Sequence, residues 1–251
     1  LRRALLAASV EGEDFTAEVV ARVCGVEDST MIGMLSSELA RKHRLVEASA
    51  VRWAGERRIS GYRFGHNLFQ KYLYDTLDPA ERAYLHEAVG NMLEELYERR
   101  TEEIAVRLAR HFREAGHLRK VAAYLKQAGD GAARVYANAE AIAHYGEAVD
   151  LAQRIQGETG DLTPLYLRLG RSLELDSQFE QAVATYESME VLARQRGDRR
   201  MELASLIARA TIHSVPTAVH DPHQAQALGN RALTLAGELS DRAAEARILW
   251  N

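Results

Sequence analysis

The chain has almost nothing with which to cross-link, kink itself or enter a membrane. Cys24 is its single cysteine among 251 residues, so no intrachain disulfide can form. It falls in an apolar stripe, which fits a reducing, cytoplasmic setting. Four prolines leave room for long uninterrupted helices. No apolar run approaches the ~18–20 residues of a membrane span, and no signal peptide is present, so no membrane partner is expected. The net charge of −4 and pI near 6.2 exclude bulk attraction to nucleic acid or acidic lipid. The phosphate-gripping pattern G-x-x-x-x-G-K-[ST] is missing, as are G-x-G-x-x-G, H-E-x-x-H and C-x-x-C. Periodicity singles out no carboxylate pair for acid–base work. The chain is therefore expected to be non-enzymatic, with no cofactor or metal of its own.

What is present favours helix. Alanine, leucine, glutamate and arginine dominate a composition that is 47% hydrophobic and 27% charged. The opening Leu1-Arg2-Arg3 lacks methionine and reads as mid-helix, so the chain is expected to be a piece of a longer protein. Residues 1–77 show three short helical stretches. The first runs from Leu1 to about Ser9. The second is capped by Asp14 and ends at Gly25, and the third is capped by Asp28 with Met31, Leu35 and Leu39 as its buried stripe. Alternation in Leu45–Val51, the polar tip Trp53–Ile59 and the returning Gly61–Gly65 predict a hairpin. Three helices and a hairpin are the order of a winged helix. A DNA-binding reading would use Arg41, Lys42 and Arg44 at the end of the third helix with Arg57 and Arg58 on the wing. The start of that helix, Asp28-Ser-Thr-Met31, offers acidic or small groups where base-reading side chains belong. Nucleic acid is therefore the lesser expectation.

Residues 78–117 read as two bridging helices. Asp78-Pro-Ala-Glu81 is a capping box with proline in the first turn, and Leu85, Val89, Met92 and Leu96 mark the apolar face. Ile104, Leu108 and Phe112 point inward from the second. His86 reads as a packing or surface residue, and His111 and His117 fall on different faces. Residues 118–251 repeat. Gly129 is followed by Ala141, Tyr145 and Ala148, and Gly170 by Ala182, Tyr186 and Met189. Ile207-Ala208 is followed by Ala225, Gly229 and Ala232. This resembles the tetratricopeptide repeat, whose usual period is about 34 residues; here the helices or loops are longer. The third pair carries an inserted loop, His213 to Pro222. His213, His220 and His223 cluster there, either as a weak metal site or as solvated side chains. Asp241–Asn251 reads as the first helix of a fourth unit. By the repeat register, Lys126, Asp130, Arg171, Glu174, Ser205 and Arg209 come from first helices and face a groove. A protein, peptide or small-molecule inducer is the expected occupant.

The order of modules, with Leu5–Phe15, Leu35–Leu45, Tyr62-Arg-Phe-Gly-His66, Leu73-Tyr74, Arg82 with His86, and Leu108-Ala-Arg-His111 with Ala115-Gly116, resembles a family. It is similar to the region that follows the nucleotide-binding domain in signal-transduction ATPases with numerous domains. These include bacterial transcription activators and ATPase modules attached to cyclases or kinases. The resemblance implies that ATP or ADP binds in the full-length parent. It implies that the winged helix folds onto the parent's own nucleotide-binding domain. It implies that His66, at the start of the last winged-helix helix, senses the bound nucleotide. Plant relatives carry that histidine in a Met-His-Asp motif; Gly65-His66-Asn67 keeps the histidine and neither flank. A DNA-binding regulator and a plain repeat scaffold are the rival expectations.

Overall fold

The computed structural model describes residues 1–55, 57–155 and 160–250. Glu56 at the expected hairpin tip and Asn251 at the end of the expected fourth unit lie outside the described residues. The fold class read from the sequence is observed: a mainly helical chain with a small antiparallel sheet, a winged helix followed by helical repeats. By its internal contacts the chain divides into two units, Leu1–Tyr124 and Leu125–Asn251. The boundary lies inside a helix and not at residue 77 or 117.

The first unit begins with α1 (Arg2–Glu11), β1 (Asp14–Thr16), α2 (Ala17–Cys24) and α3 (Asp28–Met34), continued by a π-helical segment, Leu35–Lys42. The hairpin strands β2 (Val46–Ala54) and β3 (Arg57–Phe64) follow, and the sheet order is β1-β3-β2. β1 is the strand that periodicity missed. Asp14 does not cap α2. It opens a strand opposite Arg63, and its carboxylate receives two guanidinium bonds of 2.8 Å. Phe15 decides this, because its ring stacks on Tyr62 and tilts against Phe64, holding the segment to the sheet. Asp28 does not cap α3 either; Glu27 is the cap residue, without a side-chain bond. The predicted stripe of Met31, Leu35 and Leu39 is buried, with Val46, Tyr62 and Phe64 in the same core. A π-helical turn is wider than an α-turn, which suits a stripe spaced by four.

Two buried carboxylates tie this module together. Glu11 accepts the Thr16 backbone N–H at 2.9 Å, the Thr16 hydroxyl at 2.7 Å and Arg107 at 2.8 Å. Burial pushes its pKa up against the pull of Arg107. Glu18 accepts the Ser60 N–H through both oxygens, at 3.0 and 2.9 Å, beside the bulge between Ala48 and Val51. The bulge presses on Gly61, where a Cβ would lie 2.7 Å from the Ala50 carbonyl oxygen. Cys24 is half-buried at the edge of the core.

α4 (Asn67–Asp75) leads to α5 (Pro79–Tyr97), a 3₁₀ segment (Glu98–Ile104), α6 (Ala105–Glu114) and the start of α7 (Leu118–Arg134). The capping box of Asp78 and Glu81 is present. The buried face of α5 is His86, Val89, Gly90, Leu93 and Leu96, rotated from the expected stripe because α1 and α2 pack against it. That packing is why α5 and α6 belong with the winged helix.

In the second unit α8 (Asn138–Arg154), α9 (Thr163–Leu175), α10 (Phe179–Arg196), α11 (Arg199–Ser214), α12 (Pro222–Leu239) and α13 (Arg242–Trp250) each pack on the next. A glycine on one helix receives an aromatic ring from another. A Cβ on Gly129 would lie 2.6 Å from the Tyr145 ring and one on Gly170 would be driven into Tyr186; in the first unit, one on Gly90 would meet Phe112 at 3.0 Å. At Gly229 the nearest atom is Ile248 Cγ2, at 3.9 Å.

This contrast is testable by thermal unfolding. Gly170→Ala displaces Tyr186 and is expected to destabilise by about 1–3 kcal/mol. Gly229→Ala, in an open helical position, is expected to be neutral or to stabilise by up to about 1 kcal/mol. Equal effects of the two substitutions contradict the packing described.

Candidate functional site

The site begins with a turn. Arg44 takes a left-handed conformation, φ 52°, as the chain passes from the π-helical segment into β2. Gly65 lies against it: its N–H donates to the Leu45 carbonyl at 2.9 Å, and a Cβ there would come 3.1 Å from the Arg44 carbonyl oxygen. Lack of a side chain at residue 65 therefore lets β3 end close to that turn. His66 follows in extended conformation and caps α4. Its Nδ1 accepts the Leu68 N–H at 3.1 Å. In the neutral ring that bond places the proton on Nε2. The imidazole is exposed and edge-on to Phe69, with ring centroids 6.2 Å apart.

No residue of α4 is fully buried. Leu68, Phe69 and Tyr72 are 66%, 45% and 70% exposed, so an N–H donor stands beside three large apolar side chains. Exposed apolar groups gathered on one face mark an interaction surface more than a solvated one. The other face of α4 is anchored. Leu73 packs on the core of the first unit, and Gln70 donates to the Ser9 carbonyl at 2.6 Å.

The basic residues of the winged helix divide. Arg57 pairs with Glu98 at 2.9 Å. Arg41 donates through Nε to the Ser36 carbonyl at 3.2 Å. Lys42, Arg44 and Arg58 are exposed.

The six groove candidates divide as well. Asp130 accepts Lys126 at 3.1 Å, Arg168 at 3.0 Å and the Tyr145 hydroxyl at 2.7 Å, joining α7, α8 and α9. Glu174 accepts Arg171 at 2.7 Å and the Tyr186 hydroxyl at 2.7 Å. Burial and the carboxylate together push both phenols above their ordinary pKa. Ser205 does not face a groove: it is fully buried, and its hydroxyl donates to the Glu202 carbonyl of its own helix. Arg209 is nearly buried and bridges to Glu187 at 2.7 Å and to Glu190 on α10. Glu190 also receives Arg194 and Arg231. These cations outweigh its burial and hold its carboxyl below the usual range. Asp130, Glu174 and Arg209 thus tie neighbouring helices, Lys126 and Arg171 pair within their own helices, and Arg168 was not singled out by the repeat register.

The inserted loop closes on itself. His213 Nδ1 donates to the Val219 carbonyl at 2.7 Å and His220 Nδ1 to the Val215 carbonyl at 3.2 Å. His213 is buried, so it is not a solvated loop histidine. Among the described residues no group of three or more His, Cys, Asp or Glu could hold a metal ion.

Sequence spacing also missed a buried relay. His86 and His111 are 0% and 1% exposed, with their Nδ1 atoms 3.0 Å apart, and His86 Nε2 lies 3.1 Å from the Tyr74 hydroxyl. One proton can lie between the two Nδ1 atoms, but two would collide. Both imidazole pKa values fall well below the ordinary value. Burial is the main cause for each, followed by Arg110 and Arg82 for His86 and by His86 and Arg110 for His111. The partners lie 25 residues apart on α5 and α6, a separation that helical periodicity on one element cannot reveal.

No protein-family model and no curated protein matches this chain. Among the described residues, no helix is long and apolar enough to cross a membrane.

The histidine relay sets a pH dependence. Below ~6.5, the ordinary histidine value, the unfolded chain takes up protons that the folded chain refuses. Stability is then full above that pH and lost as pH falls, with a slope of up to about 1.4 kcal/mol per unit for each histidine held neutral. Urea unfolding between pH 8 and 5 is expected to show this loss, and His111→Leu to flatten it. An unchanged slope in the variant contradicts the assignment.

Proposed function

We propose that this chain is a non-catalytic regulatory segment of a signal-transduction ATPase. Its helical repeats take up a protein, peptide or small-molecule inducer. Its winged helix relays that event to a nucleotide-binding domain of the same protein, where ATP or ADP is held. The observation that carries this reading is His66. Its Nδ1 is committed to capping α4, so its Nε2–H is directed away from the helix and free to donate to a phosphate oxygen. The exposed Leu68, Phe69 and Tyr72 beside it suit a docking face for a folded domain. Inducer binding shifts the resting state only in so far as the array binds more tightly in the active state.

Capping and nucleotide sensing separate in one variant. Asparagine is as good a helix cap as any residue but lacks the outward Nε2–H. In the parent protein, His66→Asn is expected to leave the melting temperature of this segment unchanged and to speed ADP release by about tenfold, the loss of one hydrogen bond to a charged group. Release at the wild-type rate contradicts the relay and favours a plain scaffold.

A DNA-binding reading would rest on the exposed Arg41, Lys42, Arg44 and Arg58. It requires retention on duplex DNA with a steep salt dependence. The expected result is no retention even at low salt, given the acidic net charge and the pairing of Arg57.

A further inference from the structure

The second helix of the third pair lacks a residue that the other two pairs share. α10 and α12 end alike: the cap N–H of Gly197 bonds to the Ala193 carbonyl, and that of Ser240 to the Ala236 carbonyl. Aligned on those ends, Ala236 corresponds to Ala193, Ala232 to Met189 and Gly229 to Tyr186. Ala193, Met189, Ala236 and Ala232 are all fully buried, which supports the alignment. Ala141, Tyr145 and Ala148 on α8 have the same spacing, so Gly229 stands where both other pairs carry a tyrosine.

The missing ring leaves space. A cleft of about 350 Å³ lies at Gly229, with apolar walls from Ile207, Ala210, Leu233 and Ile248. That is the size of a small-ligand site. Among the described residues that line it none is Asp, Glu, Lys or Arg, so the cleft favours an uncharged occupant. Its polar lining includes His220, whose orientation is set. His220 Nδ1 lies 3.2 Å from the Val215 carbonyl, which can only accept, so Nδ1 carries the proton. In the neutral ring Nε2 is then a hydrogen-bond acceptor. In the other two pairs the tyrosine hydroxyl likewise donates to an acceptor, Asp130 or Glu174, at 2.7 Å.

We propose that the cleft at Gly229 binds a small uncharged phenol, whose ring replaces the absent tyrosine and whose hydroxyl donates to His220 Nε2. This rests on the reading of the repeats as the inducer-binding part and names the chemistry of one inducer. An aromatic side chain supplied by a partner protein would share that chemistry in part. A free phenol is favoured because every group needed to hold it belongs to this chain.

The test uses the 251-residue chain at pH 8, where a phenol of ordinary pKa is neutral. 4-Ethylphenol is titrated by calorimetry and by amide chemical shifts. Saturable binding is expected, with shifts centred on Ile207, His220 and Gly229. 4-Ethylanisole, which keeps the ring but lacks the donor, is expected to bind about tenfold more weakly. Gly229→Tyr restores the ring of the other pairs and is expected to abolish binding. Failure of 4-ethylphenol to saturate, shifts elsewhere, or equal binding of the anisole overturns the proposal. So does undiminished binding in a folded Gly229→Tyr variant. If that variant does not fold, the phenol–anisole comparison and the shift map decide alone. The relay has its own readout: a chain that binds the phenol in a parent whose ADP release ignores His66→Asn keeps this inference and loses the relay. Failure to bind the phenol while His66→Asn still speeds release does the reverse.

Discussion

The contact on which most of the molecule depends is an aromatic ring laid against a glycine. It occurs at Gly90 with Phe112, Gly129 with Tyr145 and Gly170 with Tyr186. The glycine lets the ring approach the helix backbone more closely than any Cβ would allow, so ring and helix bury apolar surface with no void between them. Where the ring is a tyrosine, its hydroxyl reaches past the contact to a carboxylate, Asp130 or Glu174. That carboxylate is in turn tied to a neighbouring cation, Arg168 or Arg171. One apolar contact thus places a polar network at a fixed distance from it. The polar partners are satisfied only while the ring stays seated, so packing and hydrogen bonding reinforce each other.

The winged-helix part of the first unit adds a second device. Two buried carboxylates span its short helices. Glu11 joins the end of α1 to β1 and, through Arg107, to α6. Glu18 joins α2 to the bulged hairpin. Arg110 adds a bond to the Val10 carbonyl at 3.1 Å, beside the Gln70 bond to Ser9. A buried carboxylate is costly unless donors meet it; Glu11 has three, and Glu18 takes the Ser60 N–H through both oxygens. α4 packs on α1 through one face and leaves the other exposed. Its apolar residues Leu68, Phe69 and Tyr72 stay exposed beside His66.

Much of the fold was legible from the residues. The stripe Met31, Leu35, Leu39, the capping box at Asp78 and the recurrence of small and aromatic residues each encode a local geometry, and each is present. The hairpin and its return to His66 were equally plain. Misreadings arose where a distant partner outweighed a local preference. Asp14 has the chemistry of a cap, but Arg63 across the sheet claims it. Leu85 and Met92 have the spacing of a buried stripe, but the buried face of α5 lies one residue further round, at His86 and Leu93. Ser205 and Arg209 have the register of groove residues, but one satisfies its own helix and the other an adjoining one.

By itself the sequence determined most of the elements, β1 excepted, because helix caps and strand alternation act over a few residues. It also determined that His66 stands where β3 turns into α4. The tertiary structure alone decided which nitrogen of His66 is spent and which is free, and that His86 and His111 share a hydrogen bond across two helices. It also decided that the glycine replacing a tyrosine at residue 229 leaves a cleft and not a collapsed contact. These depend on groups many residues apart being brought within a few ångströms. Hydrogen bonds and cavities are set by such distances, and no local pattern encodes them.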